Sequence, residues 1–183
     1  SIAEETQNTS YTNETELELD TEFFWKARAF DGTQYSEWSA INNFTLESYL
    51  AVSLIINTTN FGTMDPYDNN DTSDDNPNPL LMENIGNINA NITTTGTQLF
   101  ELGGFPSEYY QFKTGINETN SFITSQSTIN YTNMTDTSSR IDVAHLDWHN
   151  TNDTAEVDIN VTVPATEPKG TKQSIITITA SVS

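Results

Sequence analysis

An all-β fold is predicted for this chain of 183 residues, on three observations. Short segments rich in Thr, Ile, Val, Tyr and Phe recur along it, clusters of Asn, Asp, Gly, Pro and Ser separate them, and no stretch carries a sustained 3.6-residue apolar period with helix caps. Leu17 and Leu19 alternate with Glu16, Glu18 and Asp20. Phe23, Trp25, Ala27 and Ala29 then share one face opposite Glu22, Phe24, Lys26 and Arg28. Such alternation predicts a half-buried strand with an aromatic inner face. Asp31-Gly32 makes the turn, residues 35–39 open the next segment, and Phe44-Thr45-Leu46 continues it.

A second region begins at Tyr49. Leu50, Val52, Leu54 and Ile56 alternate with Ala51, Ser53 and Ile55, and an acidic, proline-punctuated loop runs over 65–79. Residues 80–93 read as strand, turn and strand. Further strand candidates are 98–102, 109–114, 138–148, 155–163 and 172–182, the last two expected to form a hairpin through 164–170. Seven or more strands over 49–183 fit one β-sandwich.

The stretch Leu17-x-Leu19-Asp20-Thr21-Glu22-Phe23-Phe24-Trp25-Lys26-Ala27-Arg28-Ala29-Phe30-Asp31-Gly32, followed by Ser36-Glu37-Trp38-Ser39 and Phe44-Thr45-Leu46, resembles the last strands of a fibronectin type III domain. That resemblance implies an incomplete fibronectin-like half-sandwich over residues 1–48. The family's corner tyrosine falls on Phe23, which has no hydroxyl to bond back to the backbone. It also implies that the surface behind Phe23 and Trp25 finds its cover beyond these residues. Asn84-Ile85-Gly86-Asn87-Ile88-Asn89-Ala90-Asn91, with Val163-Pro164-x-x-x-Pro168-Lys169-Gly170 and Ile175-Ile176-Thr177-Ile178-Thr179-Ala180, resembles immunoglobulin-like repeats of exported archaeal and bacterial surface proteins. What this second resemblance implies is an immunoglobulin-like β-sandwich over 49–183, a structural module with no catalytic residues.

Composition bounds the function. A net charge of −20 argues against nucleic acid or anionic lipid as partner. There is no cysteine, so no disulfide holds the fold. The longest apolar stretch, 50–56, has strand length, and no run reaches the roughly 18 apolar residues of a membrane-spanning helix. The start, Ser1-Ile2-Ala3-Glu4, is neither an initiator nor a signal peptide and reads as a processed or excised end.

Eleven Asn-x-Ser/Thr triplets run from end to end, at Asn8, Asn13, Asn43, Asn57, Asn70, Asn91, Asn117, Asn130, Asn133, Asn152 and Asn160, none with proline at x. Composition alone would give about five. Used acceptors must be exposed and must leave the cell, so the triplets predict covalent N-glycans and an extracellular or cell-surface location. The plainer reading is an Asn/Thr-rich β protein that meets the pattern by accident.

Asp65, Asp68, Asp71, Asp74 and Asp75 gather five carboxylates in the acidic loop, a candidate set for calcium, which takes six to eight hard oxygens. Their spacing departs from the EF-hand pattern, and a solvated, self-repelling loop explains them as well. His145-x-Asp147-x-His149 would place three ligands for zinc on one side of a strand, with Leu146 and Trp148 on the buried side, or would simply be solvent-facing residues near a turn. With no cysteine nucleophile, no Gly-x-Ser-x-Gly elbow and no Gly-rich phosphate loop, nothing requires an enzyme. The function expected is a glycosylated structural subunit or repeat of an extracellular filament, sheath or surface layer, polymerised with copies of itself by strand or domain complementation. The alternative is an adhesion or carbohydrate-binding module, for which Trp25, Trp38 and Trp148 are candidate sugar platforms beside their simpler role in strand packing.

Overall fold

A computed structural model describes residues 16–183, which fall into two compact units, one ending at Ser48 and the other spanning Tyr49–Ser183. The described residues form eleven strands in three antiparallel sheets, with one 3-10 turn at Thr124–Gln126 and no α-helix.

In the first unit, β1 (Glu22–Trp25) pairs antiparallel with β2 (Asn42–Thr45), and the ladder sets Phe23 opposite Phe44. Their rings stack at 5.6 Å, as cross-strand aromatic pairs do. Regular strand ends at Trp25, but pairing continues through serine. Ala27 N–H donates to Ser39 Oγ at 3.0 Å while Ser39 N–H donates to the Ala27 carbonyl at 2.8 Å. Ala29 and Ser36 repeat the exchange at 2.9 Å in both directions. Hydroxyls stand in for carbonyls, so the segments stay in register without strand geometry. Asp31 Oδ1 closes the turn by accepting from Thr33 and Gln34 N–H, and Gly32 supplies the φ of 96° it needs. Phe23 offers no corner hydroxyl. Asp20 instead ties the segment before β1 to the one after β2: its N–H donates to the Leu46 carbonyl and its Oδ1 accepts from Ser48 N–H.

The second unit holds a six-stranded and a three-stranded sheet. The larger runs β3 (Val52–Ile56), β5 (Leu80–Asn84), β10 (Thr154–Thr162), β7 (Tyr110–Gly115), β8 (Thr132–Asn133), and β4 (Asn69–Asp71) pairs with the far end of β10. The smaller runs β11 (Ile176–Val182), β6 (Ala90–Gly96), β9 (Val143–Leu146). Strict alternation in β5, β6 and β7 turns Leu80, Met82, Ala90, Ile92, Tyr110 and Phe112 inward, where they meet Val157, Ile159 and Val161 of β10 and Leu146 of β9 in one core. Met134 leaves β8 to fill the space over Gly96, where a Cβ would stand 2.8 Å from the Met134 side chain.

Several expectations are corrected. The strands at 155–163 and 172–182 do not form a hairpin, because β11 pairs along its whole length with β6 in the opposite sheet. The intervening connection crosses between sheets and is fastened on the way. Glu167 accepts from the backbone N–H of Glu101 and Leu102 at 2.9 and 3.0 Å and pairs with Lys172 at 2.6 Å. The same bonds take the amides of Glu101 and Leu102, and 98–102 is an irregular segment, not a strand. Strand within 138–148 is confined to Val143–Leu146, and the loop 65–79 contains β4.

Asp142, fully buried, joins the two sheets. Its carboxylate accepts from Thr94 N–H at 2.7 Å, Thr128 Oγ1 at 2.9 Å and Arg140 Nε at 2.7 Å, while its carbonyl accepts from Thr114 Oγ1 at 2.7 Å. Asp142→Ala orphans the buried Thr94 N–H and is expected to lower stability by about 2–3 kcal/mol in urea denaturation.

Candidate functional site

Among the described residues the first unit has one sheet of two strands and no second sheet over its aromatic face. Phe23, Trp25 and Phe44 share that face by register. Trp25 is 50% exposed and Phe44 43% exposed, and Phe24 on the other face is 64% exposed. The aromatic face expected to find its cover beyond these residues thus carries a half-buried Phe23 and an open Trp25. Lys26 and Arg28 lie along a second aromatic surface. Lys26 Nζ stands 4.5 Å from the Trp38 ring, and Arg28 Cζ stands 4.6 Å from Trp38 and 3.7 Å from Tyr35. Cations stacked on exposed rings stabilise this arrangement by about 0.5–1 kcal/mol per contact.

The second unit is closed on one side and open on the other. Segment 123–128 bridges the sheets on the closed side: Ile123 N–H donates to the Ala144 carbonyl, Thr128 N–H to that of Asp142, and Thr114 N–H to that of Thr128. On the other side β3 and β11 are both edge strands, flanking an open cleft of about 580 Å³ lined by Leu50, Val52, Leu54, Ile178 and Ala180. Unpaired edges with an apolar floor are a template for an added strand.

Nine of the triplet asparagines lie in the described residues; Asn8 and Asn13 lie outside them. Asn43, Asn57, Asn117, Asn130 and Asn133 are exposed, and Asn70, Asn91, Asn152 and Asn160 are half-buried. The amide nitrogens differ in engagement. Asn43 Nδ2 donates to Glu22, Asn117 Nδ2 to Thr154 Oγ1 at 2.9 Å, Asn152 Nδ2 to Asp147 Oδ2 at 2.8 Å and Asn160 Nδ2 to Gln111 Oε1 at 3.3 Å.

The acidic loop does not draw its carboxylates together. Asp68 Oδ2 accepts from Asp65 N–H, Asp71 Oδ1 from Ser73, and Asp74 Oδ1 from Asn76 N–H, each closing its own turn. Among the described residues no group of three or more His, Cys, Asp or Glu is placed to hold a metal ion. The set His145, Asp147 and His149 is not one strand face, because β9 ends at Leu146 and His145 sits in a bulge with φ 54°. Asp147 and His149 pair at 2.6 Å, and the Trp148 ring stacks on His149 at 4.1 Å instead of turning into the core with Leu146.

Sequence reasoning passed over a buried charge at Asp158 in β10. It accepts from Thr72 Oγ1 at 3.1 Å and faces Lys113 Nζ at 3.7 Å. Burial pushes its carboxyl up, against the Thr72 hydrogen bond and the Lys113 ammonium, with Asp71 and Asp75 adding to the rise. A raised folded-state value means that the proton favours the folded chain, so the charged form weakens the fold as pH climbs from the acid range to neutral. Asp158→Asn keeps an acceptor for Thr72. Its stability relative to the parent is expected to rise between about pH 3 and 7, measured by thermal melting across that range.

No protein-family model, curated protein or solved structure matches this chain.

Proposed function

We propose that this chain is a glycosylated structural module of an extracellular filament, sheath or surface layer, and that neighbouring copies cover one another's open sheets. The first unit is taken as the closing half of a fibronectin type III-like sandwich and the second as an immunoglobulin-like one. The observation that carries the reading is the aromatic face of Trp25 and Phe44, which no second sheet covers among the described residues. A two-stranded sheet is marginal on its own, and burying an open aromatic face is the way it gains stability. The cleft between β3 and β11 supports the same reading, since it offers two free edges to an incoming strand. A charge of −20 spread over the chain keeps such subunits soluble until apolar faces meet.

Native material separated by size and weighed intact, before and after deglycosylation, tests this. The expected result is large assemblies of glycosylated chains that dissociate in denaturant; bare, monomeric chains would contradict it. The exposure of Phe24, Trp25 and Tyr67 also supports a second reading, adhesion through sugar stacked on rings. Saturable binding on a glycan array by monomeric protein would favour that reading over assembly.

A further inference from the structure

N-glycosylation joins Asn Nδ2 to the anomeric carbon of a lipid-linked glycan. The carbon–oxygen bond to the lipid phosphate breaks, the phosphate leaves with that electron pair, and Nδ2 gives up a proton. The rule that Ser or Thr stands two residues on means that the transferase must reach both the amide and the hydroxyl. Folding decides, triplet by triplet, whether it can.

Asn57-Thr58-Thr59 follows β3 in irregular backbone, and Asn57 and Thr58 are exposed. No backbone or side-chain hydrogen bond is made by these three residues among the described ones, and Thr59 Oγ1 is a buried oxygen without a partner. Turning the triplet outward breaks no hydrogen bond and frees an orphaned hydroxyl. The Asn70 triplet is the opposite case. Asn70 and Asp71 pair with β10, and Thr72 is fully buried, its hydroxyl donating to Asp158 and accepting from Ile159 N–H at 2.9 Å, its own N–H bonded to the Ile159 carbonyl at 3.0 Å. The Asn152 triplet is closed too. Asn152 Nδ2 is held by Asp147, and Glu118 accepts from Asp153 N–H, Thr154 N–H and Thr154 Oγ1 at 3.0, 3.1 and 2.7 Å. Asn91, Asn133 and Asn160 each precede a residue fixed in the core, Ile92, Met134 and Val161.

We infer that Asn57 is an acceptor that a turn breaking no hydrogen bond brings within reach of a lipid-linked glycan once the second unit has folded, whereas the triplets at Asn70 and Asn152 are open only before folding. The inference rests on the glycoprotein reading above and adds the order of events: Asn57 can be modified on the folded chain, and sugar at Asn70 or Asn152 records a transfer that preceded folding.

The test uses the folded, unglycosylated chain with an oligosaccharyltransferase and a lipid-linked oligosaccharide, beside synthetic peptides spanning 54–61, 67–74 and 149–156. Peptide mapping by mass spectrometry gives the rate at each asparagine in the folded chain relative to its free peptide. Asn57 is expected to keep its peptide rate within a few-fold and to lose it in Thr59→Ala. Asn70 and Asn152 are expected to slow by about thirtyfold or more, the cost of breaking two or three hydrogen bonds before the enzyme can engage. Modification of Asn70 or Asn152 at peptide rates in the folded chain, or an Asn57 as slow as they are, overturns the inference. Native material with bare asparagines would remove the glycoprotein reading while leaving this ratio of rates intact, so the two fail separately.

Discussion

Phe112→Ala is expected to destabilise the second unit by about 4 kcal/mol, since removing a fully buried phenyl loses its transfer energy and leaves a cavity that the neighbours fill only in part. Phe112 lies mid-strand in β7, opposite Ile159 of β10 on one side and Thr132 of β8 on the other. It is completely buried in the core shared by both sheets, with the Arg140 guanidinium 5.5 Å from its ring centroid. Backbone pairing fixes it on both sides, so collapse onto the void is resisted. Urea denaturation followed by intrinsic fluorescence measures the loss; a change under 1 kcal/mol would mean that the core is not packed as described. Phe112→Leu, which keeps most of the volume, is expected to cost about 1–2 kcal/mol.

The strands around Phe112 were legible in the sequence because their alternation is chemical. Tyr110, Phe112 and Thr114 face inward while Gln111 and Lys113 face out, and the same holds for Ala155, Val157, Ile159 and Val161. The strand β4 was not legible, since Asn69, Asn70 and Asp71 carry turn-forming side chains and are held only by a distant partner, Asn160 to Thr162 of β10. Tertiary pairing overrides propensity there. The crossing from β10 to β11 was hidden for a related reason: the Glu167 clamp that routes it depends on backbone amides of residues 101 and 102. The serine-bridged pairing of Ala27 with Ser39 and Ala29 with Ser36 was half legible: the alternation runs on through Ala27 and Ala29, but that hydroxyls replace strand carbonyls there depends on Ser36 and Ser39 across the turn. For the candidate site, the open aromatic sheet was legible from Phe23, Trp25 and Phe44, whereas closure of individual glycosylation triplets was not. Whether Thr59 or Thr72 is hydrogen-bonded depends on residues far away in sequence, such as Asp158 and Ile159.

Replacing Trp25 and Phe44 together by serine is expected to abolish assembly while leaving the second unit folded. Both rings lie on the uncovered face of the two-stranded sheet, and neither belongs to the core of the second unit. Aromatic anchors at the centre of an interface cost about 2 kcal/mol each on truncation, so the pair weakens association by about a thousandfold. Circular dichroism and urea denaturation of the variant control for folding. Lys169→Ala provides a comparison, because that exposed cation lies outside the aromatic surface, and it is expected to assemble as the parent does.

Sedimentation velocity of the purified chain over about a hundredfold range of concentration tests mutual covering of sheets most directly, because mass action ties assembly to protein concentration. Mutual covering predicts species that grow with concentration and, in a Trp38→Phe, Trp148→Phe background that leaves one indole, a Trp25 fluorescence that shifts to the blue as the ring leaves water. A chain that sediments as a folded monomer throughout, with Trp25 emission unchanged, would contradict it.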